Sequence, residues 1–250
     1  VIIEVKNLKV GTILRDVSFV LYEGERLGIV GESGSGKTLL MKSLLRLLPS
    51  NLSIDEGEIL YQGVDLCLLS ERELQKIRGK EIGMIFQDPM TALNPSIKIG
   101  KQIMEAYLSH YPHASKKEAQ KRALTLLTQV GIPEPELRFE QYPHILSGGI
   151  RQRVLIALAL AAEPKVLIAD EPTTALDVTV QAQILDLLSR LQEGKSILLI
   201  THDLSLIAAF CDRVLVMHQG QIVEEASVFD LFAKPQHPYT KELLEAVPRL

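Results

Sequence analysis

Cysteine is nearly absent from the sequence: Cys67 and Cys211 are its only two. A pair that small excludes a disulfide framework and an all-thiolate metal site, and it fits a reducing cytoplasm. Long apolar runs are missing too. The longest, Val154 to Ala162, falls far short of the roughly 20 residues that span a bilayer. The opening "VIIEV" reads as a strand, so no signal peptide is expected and work at a membrane is expected to pass through partners. Charge of one sign is also lacking. A formal net charge of −4 argues against broad contact with nucleic acid. Neither an internal repeat nor a low-complexity segment interrupts the chain.

What is present is a chain of 250 residues, 46% hydrophobic and 23% charged, enough for one large domain or one domain with an insertion. Residues 1–30 read as strands: Val17, Phe19 and Leu21 alternate before a turn at Glu23-Gly24-Glu25, and "RLGIV" follows as a buried strand. A glycine-rich loop and a helix carrying Leu40, Leu44, Leu47 and Leu48 come next. Residues 57–66 suit a hairpin or short strand, and "EIGMIFQ" another strand.

The character changes after Gln87. Ser115 and Glu118 form a capping box ahead of a stripe of Ala119, Ala123, Leu126, Leu127 and Val130, which Gly131 and Pro133 stop. Strands return with "VLIAD" and "SILLITHD", separated by a helix with a stripe of Val180, Ile184, Leu187, Leu188 and Leu191. "RVLVMHQGQIVEE" reads as a hairpin turning at Gln219-Gly220. The pattern predicts an α/β fold with a mostly parallel sheet, an antiparallel β subdomain and a helical insertion. The expected parts are an α/β core of residues 1–88 and 153–226, a helical part of 89–152, and a short helical tail of 227–250.

"GESGSGKT", Gly31 to Thr38, matches the phosphate-binding pattern G-x-x-x-x-G-K-[ST] in full, between a strand and a helix. Gly31, Gly34 and Gly36 permit close approach of backbone to oxygen. The loop, including Glu32, Ser33 and Ser35 and reaching Leu39, can surround phosphates with N–H groups. Lys37 supplies a charge for the β- and γ-phosphates, and the Thr38 hydroxyl suits Mg²⁺. A glycine loop that merely turns strand into helix would not need the whole pattern. In "VLIADEP", Asp170 ends an apolar strand, where ligands of open α/β sheets gather, and can hold the Mg²⁺ shell. Glu171 can polarise an attacking water. A second glycine pair lies in "LSGGIRQR", residues 146–153, ahead of a long apolar run. Gln87 and His202 carry no message alone.

In order, Gly31–Thr38, Gln87, "LSGGI" (Leu146–Ile150), "VLIADE" (Val166–Glu171), "ALD" (Ala175–Asp177) and His202 resemble the nucleotide-binding subunit of ATP-binding cassette transporters. The resemblance covers essentially the whole chain and implies a P-loop NTPase core that hydrolyses ATP with Mg²⁺. It implies that Ser147, Gly148 and Gly149, at a helix N-terminus, face the γ-phosphate held by another chain. It further implies that Gln87 contacts the Mg²⁺ and water region, that His202 contacts the γ-phosphate, and that Asp177 couples the two sites across a dimer. The helical insertion would dock on a membrane subunit.

"FQDPMTALNP" (Phe86–Pro95), "DEPTTALDVTVQAQIL" (Asp170–Leu185) and "HPYT" (His237–Thr240) resemble the oligopeptide, dipeptide and nickel importer group. That group implies a second, usually different, ATPase chain, two permeases and an extracytoplasmic binding protein, with the ATPases at the cytoplasmic membrane face. Three departures stand out. No aromatic occupies Val10 to Leu14, so no adenine-stacking residue is assigned. Ile150 replaces the usual glutamine or methionine. The C-terminal cysteine cluster of longer peptide importers is missing, so no iron–sulfur cofactor is expected in this chain, and the short tail resembles the nickel-type members somewhat more. His110 and His113, with a proline between them and no third ligand nearby, are read as a solvated loop. Two alternatives compete: a soluble cassette ATPase of DNA repair or the ribosome, which normally carries extensions not seen here, and a small-molecule kinase, which leaves "LSGG" unexplained.

Overall fold

A computed structural model describes residues 1–174 and 176–246. The strands are β1 (Ile3–Val10), β2 (Leu14–Leu21), β3 (Arg26–Val30), β4 (Ile54–Tyr61), β5 (Val64–Asp65), β6 (Ile82–Ile85), β7 (Val166–Asp170), β8 (Ser196–Thr201), β9 (Arg213–His218) and β10 (Gln221–Ser227). The helices are α1 (Lys37–Leu44), α2 (Glu71–Ile77), α3 (Pro89–Ala92), α4 (Ile99–His110), α5 (Lys116–Gln129), α6 (Pro135–Phe139), α7 (Gly148–Ala159), α8 (Val178–Leu191), α9 (Leu204–Phe210), α10 (Val228–Ala233) and α11 (Pro238–Glu245). They form two compact units, one of Val1–Leu74 with Gln192–Leu250 and one of Gln75–Leu191.

In the first unit, β2, β1, β4 and β5 make an antiparallel sheet in that order. Its β2 strand buries Leu14, Val17, Phe19 and Leu21, as alternation requires of a half-buried strand. A second sheet runs β10, β9, β3, β8, with β3 parallel to both β8 and β9, and β10 antiparallel to β9. The apolar runs of β3 and β8 are buried almost throughout, the mark of a parallel sheet covered on both faces. Helix α9 packs close on β3: a Cβ added at Gly28 would lie 2.5 Å from Ile207 Cδ1 and 3.0 Å from Cys211 Sγ. The β9–β10 turn puts Gln219 and Gly220 at φ 47° and 79°, the left-handed pair that matches strand twist.

Helix α1 ends at Leu44, earlier than its leucine pattern predicts. Arg46 adopts φ 50°, and its guanidinium donates to the Leu66 carbonyl at 3.3 Å and the Leu69 carbonyl at 2.5 Å. That anchorage turns the chain out of the helix, and Leu47 is left exposed.

In the second unit, β6 and β7 pair in parallel and helices make up most of the remainder. Helix α5 opens on the capping box: Ser115 Oγ accepts the Glu118 N–H, and the Glu118 carboxylate accepts the Ser115 N–H at 2.6 Å. Its Ala119, Ala123, Leu126 and Leu127, with Val130 just beyond its end, are all buried. Each buried leucine stabilises the fold by about 1.5–3 kcal/mol. No helix among the described residues is long and apolar enough to cross a membrane.

Candidate functional site

Strand β3 delivers the chain into the loop of residues 31–38, and α1 carries it away. Gly31 is required by space: a Cβ there would stand 2.1 Å from the Met217 carbonyl oxygen and 3.0 Å from Ser35 Oγ. Gly36 precedes α1 at φ 104°, where L side chains are strained. Gly34, at φ 83°, has no atom within 4 Å of an added Cβ, so its glycine faces open space. No side chain caps α1, and the positive end of this helix attracts an anion.

Lys37 is buried, and its ammonium lies back along the loop. It donates to the carbonyls of Gly31 at 2.6 Å and Glu32 at 2.8 Å, with Ser35 Oγ at 3.4 Å. The Ser35 carbonyl accepts the Gly220 N–H at 2.9 Å, tying the loop to the β9–β10 turn. His202 belongs to the same region. Val30 of β3 pairs in parallel with Thr201 of β8, so Gly31 and His202 leave the sheet at the same end of neighbouring strands. The His202 side chain is exposed there.

The second unit repeats the device. Ile85 of β6 pairs in parallel with Ala169 of β7, which brings Gln87 together with Asp170 and Glu171 at the strand ends. Asp170 is 3% exposed. Gln87 Nε2 donates to Glu171 Oε2 at 3.0 Å, and Thr174 Oγ1 donates to the same oxygen at 2.8 Å. Glu171 holds φ 44°, uncommon for a residue with a side chain. Such strain persists only where the surroundings fix it, and it concentrates at functional positions.

In the same unit, α7 begins at Gly148 with Ser147 before it, and the Ser147 side chain makes no capping bond. Ser147 and Gly148 are exposed. Among the described residues, a Cβ on Gly148 would meet only Leu176 Cδ2, at an ordinary 3.6 Å, whereas one on Gly149 would come within 3.0 Å of Val180 Cγ1. Asp177 Oδ1 accepts the Val180 N–H at 3.0 Å and so caps α8. Ala175, first residue of "ALD", lies outside the described residues.

Two contacts had no sequence signal of their own. Thr174 steadies Glu171 and was legible only as part of "DEPTTALD". Tyr239 of the "HPYT" segment accepts the Glu32 N–H at 2.9 Å from 207 positions away, a separation that no local pattern reports.

Comparison with known proteins identifies the family. A family model described as "ABC transporter" matches residues 14–174. The dipeptide transport ATP-binding protein DppD of Lactococcus lactis subsp. cremoris is 54% identical over 257 residues, 99% of this chain and 74% of that protein. The oligopeptide transport ATP-binding protein OppD of Bacillus subtilis is 57% identical over 240 residues, 95% of this chain and 67% of that protein. Among solved structures, the cassette MJ0796, in a dimeric post-hydrolysis state bound to ADP and Pi, superposes with TM-score 0.81 at 32% identity, covering 90% of this chain and 98% of its own.

Proposed function

Because the chain belongs to the ABC transporter family, as its ATP-binding and ATP-hydrolysing subunit, we propose that it powers peptide import through membrane permeases. The relatives named above are transport subunits for dipeptides and oligopeptides, which favours a peptide cargo over a nickel chelate and a transporter over a soluble cassette. In this reading the chain sits at the cytoplasmic face of the membrane, held by two permeases and joined to a second cassette.

Each residue has a role its chemistry suits. The loop Gly31–Leu39 takes the phosphates, and Lys37 exchanges the carbonyls of Gly31 and Glu32 for phosphate oxygens. Thr38, Gln87 and Asp170 would hold Mg²⁺, which neutralises charge on the β- and γ-phosphates. The residues fit that ion: hydroxyl, amide and carboxylate oxygens are the hard donors it accepts beside phosphate and water.

Glu171 is the general base. Its Oε2 is fixed by Gln87 and Thr174, so the carboxylate is oriented before water arrives. As a water oxygen bonds to the γ-phosphorus and the β–γ bridging bond breaks, Glu171 takes the water proton, leaving ADP and phosphate. His202 contacts the γ-phosphate. Ser147 to Gly149 complete the site of the partner cassette, and Asp177 links the two sites.

The observation that carries the reading is the Glu171 carboxylate, held by two donors at the end of a buried parallel strand in strained backbone. The test is uptake of a labelled dipeptide by cells that express the chain with its permeases. Lys37→Ala should abolish uptake that the unaltered chain supports. Uptake that persists at the full rate overturns the proposal.

A further inference from the structure

The "HPYT" segment, His237 to Thr240, touches the phosphate loop through its tyrosine. His237 precedes α11, and its Nδ1 accepts the Tyr239 N–H at 3.2 Å. Pro238 occupies the first helical position, where a missing N–H costs nothing. Thr240 is fully buried. Glu224 of β10 accepts the N–H groups of Gln236 at 2.8 Å and His237 at 2.9 Å. Tyr239 itself is 7% exposed, and its ring lies against the His218 ring with centroids 3.9 Å apart. The segment is docked on the strand pair that also holds the phosphate loop, and its tyrosine hydroxyl reaches the second residue of that loop.

The consequence follows from one peptide plane. The N–H of Glu32 and the carbonyl of Gly31 belong to the same peptide group. Tyr239 holds its N–H side, and Lys37 Nζ holds its carbonyl side at 2.6 Å. Glycine precedes this peptide, so its orientation is cheap to change unless something holds it. When phosphate oxygens draw the Lys37 ammonium away, the carbonyl side loses its partner. The Tyr239 bond then remains to keep the plane, and with it the loop, in the shape that receives phosphate.

We propose that Tyr239 is a positioning residue for the phosphate loop, and that the docked C-terminal segment sets nucleotide affinity through its hydroxyl. The inference rests on the reading of Gly31–Thr38 as the nucleotide site. The hydroxyl matters more in the bound state than in the free one, because Lys37 shares the task only while no nucleotide is present. ATP and ADP should depend on it alike, since both place a β-phosphate in the loop.

The experiment compares the full chain with Tyr239→Phe, which keeps the ring and removes only the hydroxyl. Calorimetry should show MgATP and MgADP binding about three- to tenfold more weakly, the reach of one modest hydrogen bond. In the assembled transporter KM for ATP should rise by a similar factor while kcat at saturation stays within about twofold, since the reacting atoms are untouched. A merely structural role would lower the melting temperature of the nucleotide-free chain without moving KM. Site-specific fluorotyrosine at position 239 gives a graded version, with a weaker acceptor of almost the same shape. Its affinity should fall between those of Tyr and Phe, and it decides the matter should Tyr239→Phe fail to fold. Affinities unchanged by fluorination, or by Phe in a folded chain, overturn the proposal. Lys37→Ala run alongside separates the two failures. If it loses binding while the Tyr239 variants do not, only this inference falls. If Lys37→Ala binds as the unaltered chain does, the phosphate-loop reading falls and takes this inference with it.

Discussion

Gly148 offers a sharp separation between what the fold requires and what a partner requires. Among the described residues, a Cβ at this position meets a single neighbour, Leu176 Cδ2, at 3.6 Å, and the exposed residue opens α7. Nothing in its own unit asks for glycine. Gly148→Ala should therefore leave the isolated chain as stable or more so. The gain from a less flexible unfolded chain is about 0.4–1 kcal/mol, which raises the melting temperature by about 1–4 °C in a domain this size. Gly148→Asp carries the argument into function. On the proposed reading, its carboxylate would stand where a partner's γ-phosphate approaches the helix end. Two like charges about 4 Å apart repel by about 1 kcal/mol even at the dielectric of water, and by more in a drier interface. Scanning calorimetry of each variant, nucleotide affinity of the isolated chain and site-resolved nucleotide trapping in the assembled pair make up the assay. The expected result is normal folding and normal MgATP binding in the isolated chain, with hydrolysis lost at the site the altered motif completes. Destabilisation of Gly148→Ala by more than about 1 kcal/mol would refute the steric argument, since an ordinary contact cannot cost that much. Intact hydrolysis in Gly148→Asp would refute the action in trans.

Two further outcomes follow from the same structure. With no aromatic residue assigned to the base, GTP should compete with ATP within about tenfold, or about 1.4 kcal/mol; a thousandfold preference would reveal a base-reading residue. Burial pushes the Cys211 thiol up to about 12, and burial together with Asp65 pushes Cys67 up to about 11. Both should therefore resist maleimide at pH 8, where only the thiolate reacts. Rapid labelling of Cys211 would mean that α9 opens from β3 in solution.

The sequence is most legible where a feature is local and repetitive. The α5 stripe is buried at every position its period marks, because a capping box fixes where the helix starts and Gly131 where it stops. The parallel strands announce themselves as continuous apolar runs, and the phosphate loop as a fixed spacing of glycines. Reading fails where a distant group intervenes. Leucines at 47 and 48 continue the α1 pattern, yet carbonyls at Leu66 and Leu69 capture Arg46 and end the helix. On α8 the stripe residues Ile184, Leu187 and Leu188 are buried with Leu185 beside them, and Val180 and Leu191, toward the two ends, are half-buried. In the site, the residue types at strand ends were readable and their partners were not. The bond between Thr174 and Glu171 and the reach of Tyr239 to Glu32 depend on tertiary placement alone.

The central claim is that Glu171 takes the water proton in ATP hydrolysis, and Glu171→Gln tests it most directly. Glutamine keeps the size of the side chain and an oxygen that can accept from Gln87 and Thr174, but it is no useful base. MgATP affinity and the hydrolysis rate of the assembled transporter are measured on the same preparation. The account predicts affinity within about threefold of the unaltered protein, a difference under 1 kcal/mol, and turnover reduced by about 10²–10⁴-fold, the scale of a lost general base. Turnover at the unaltered rate would contradict it.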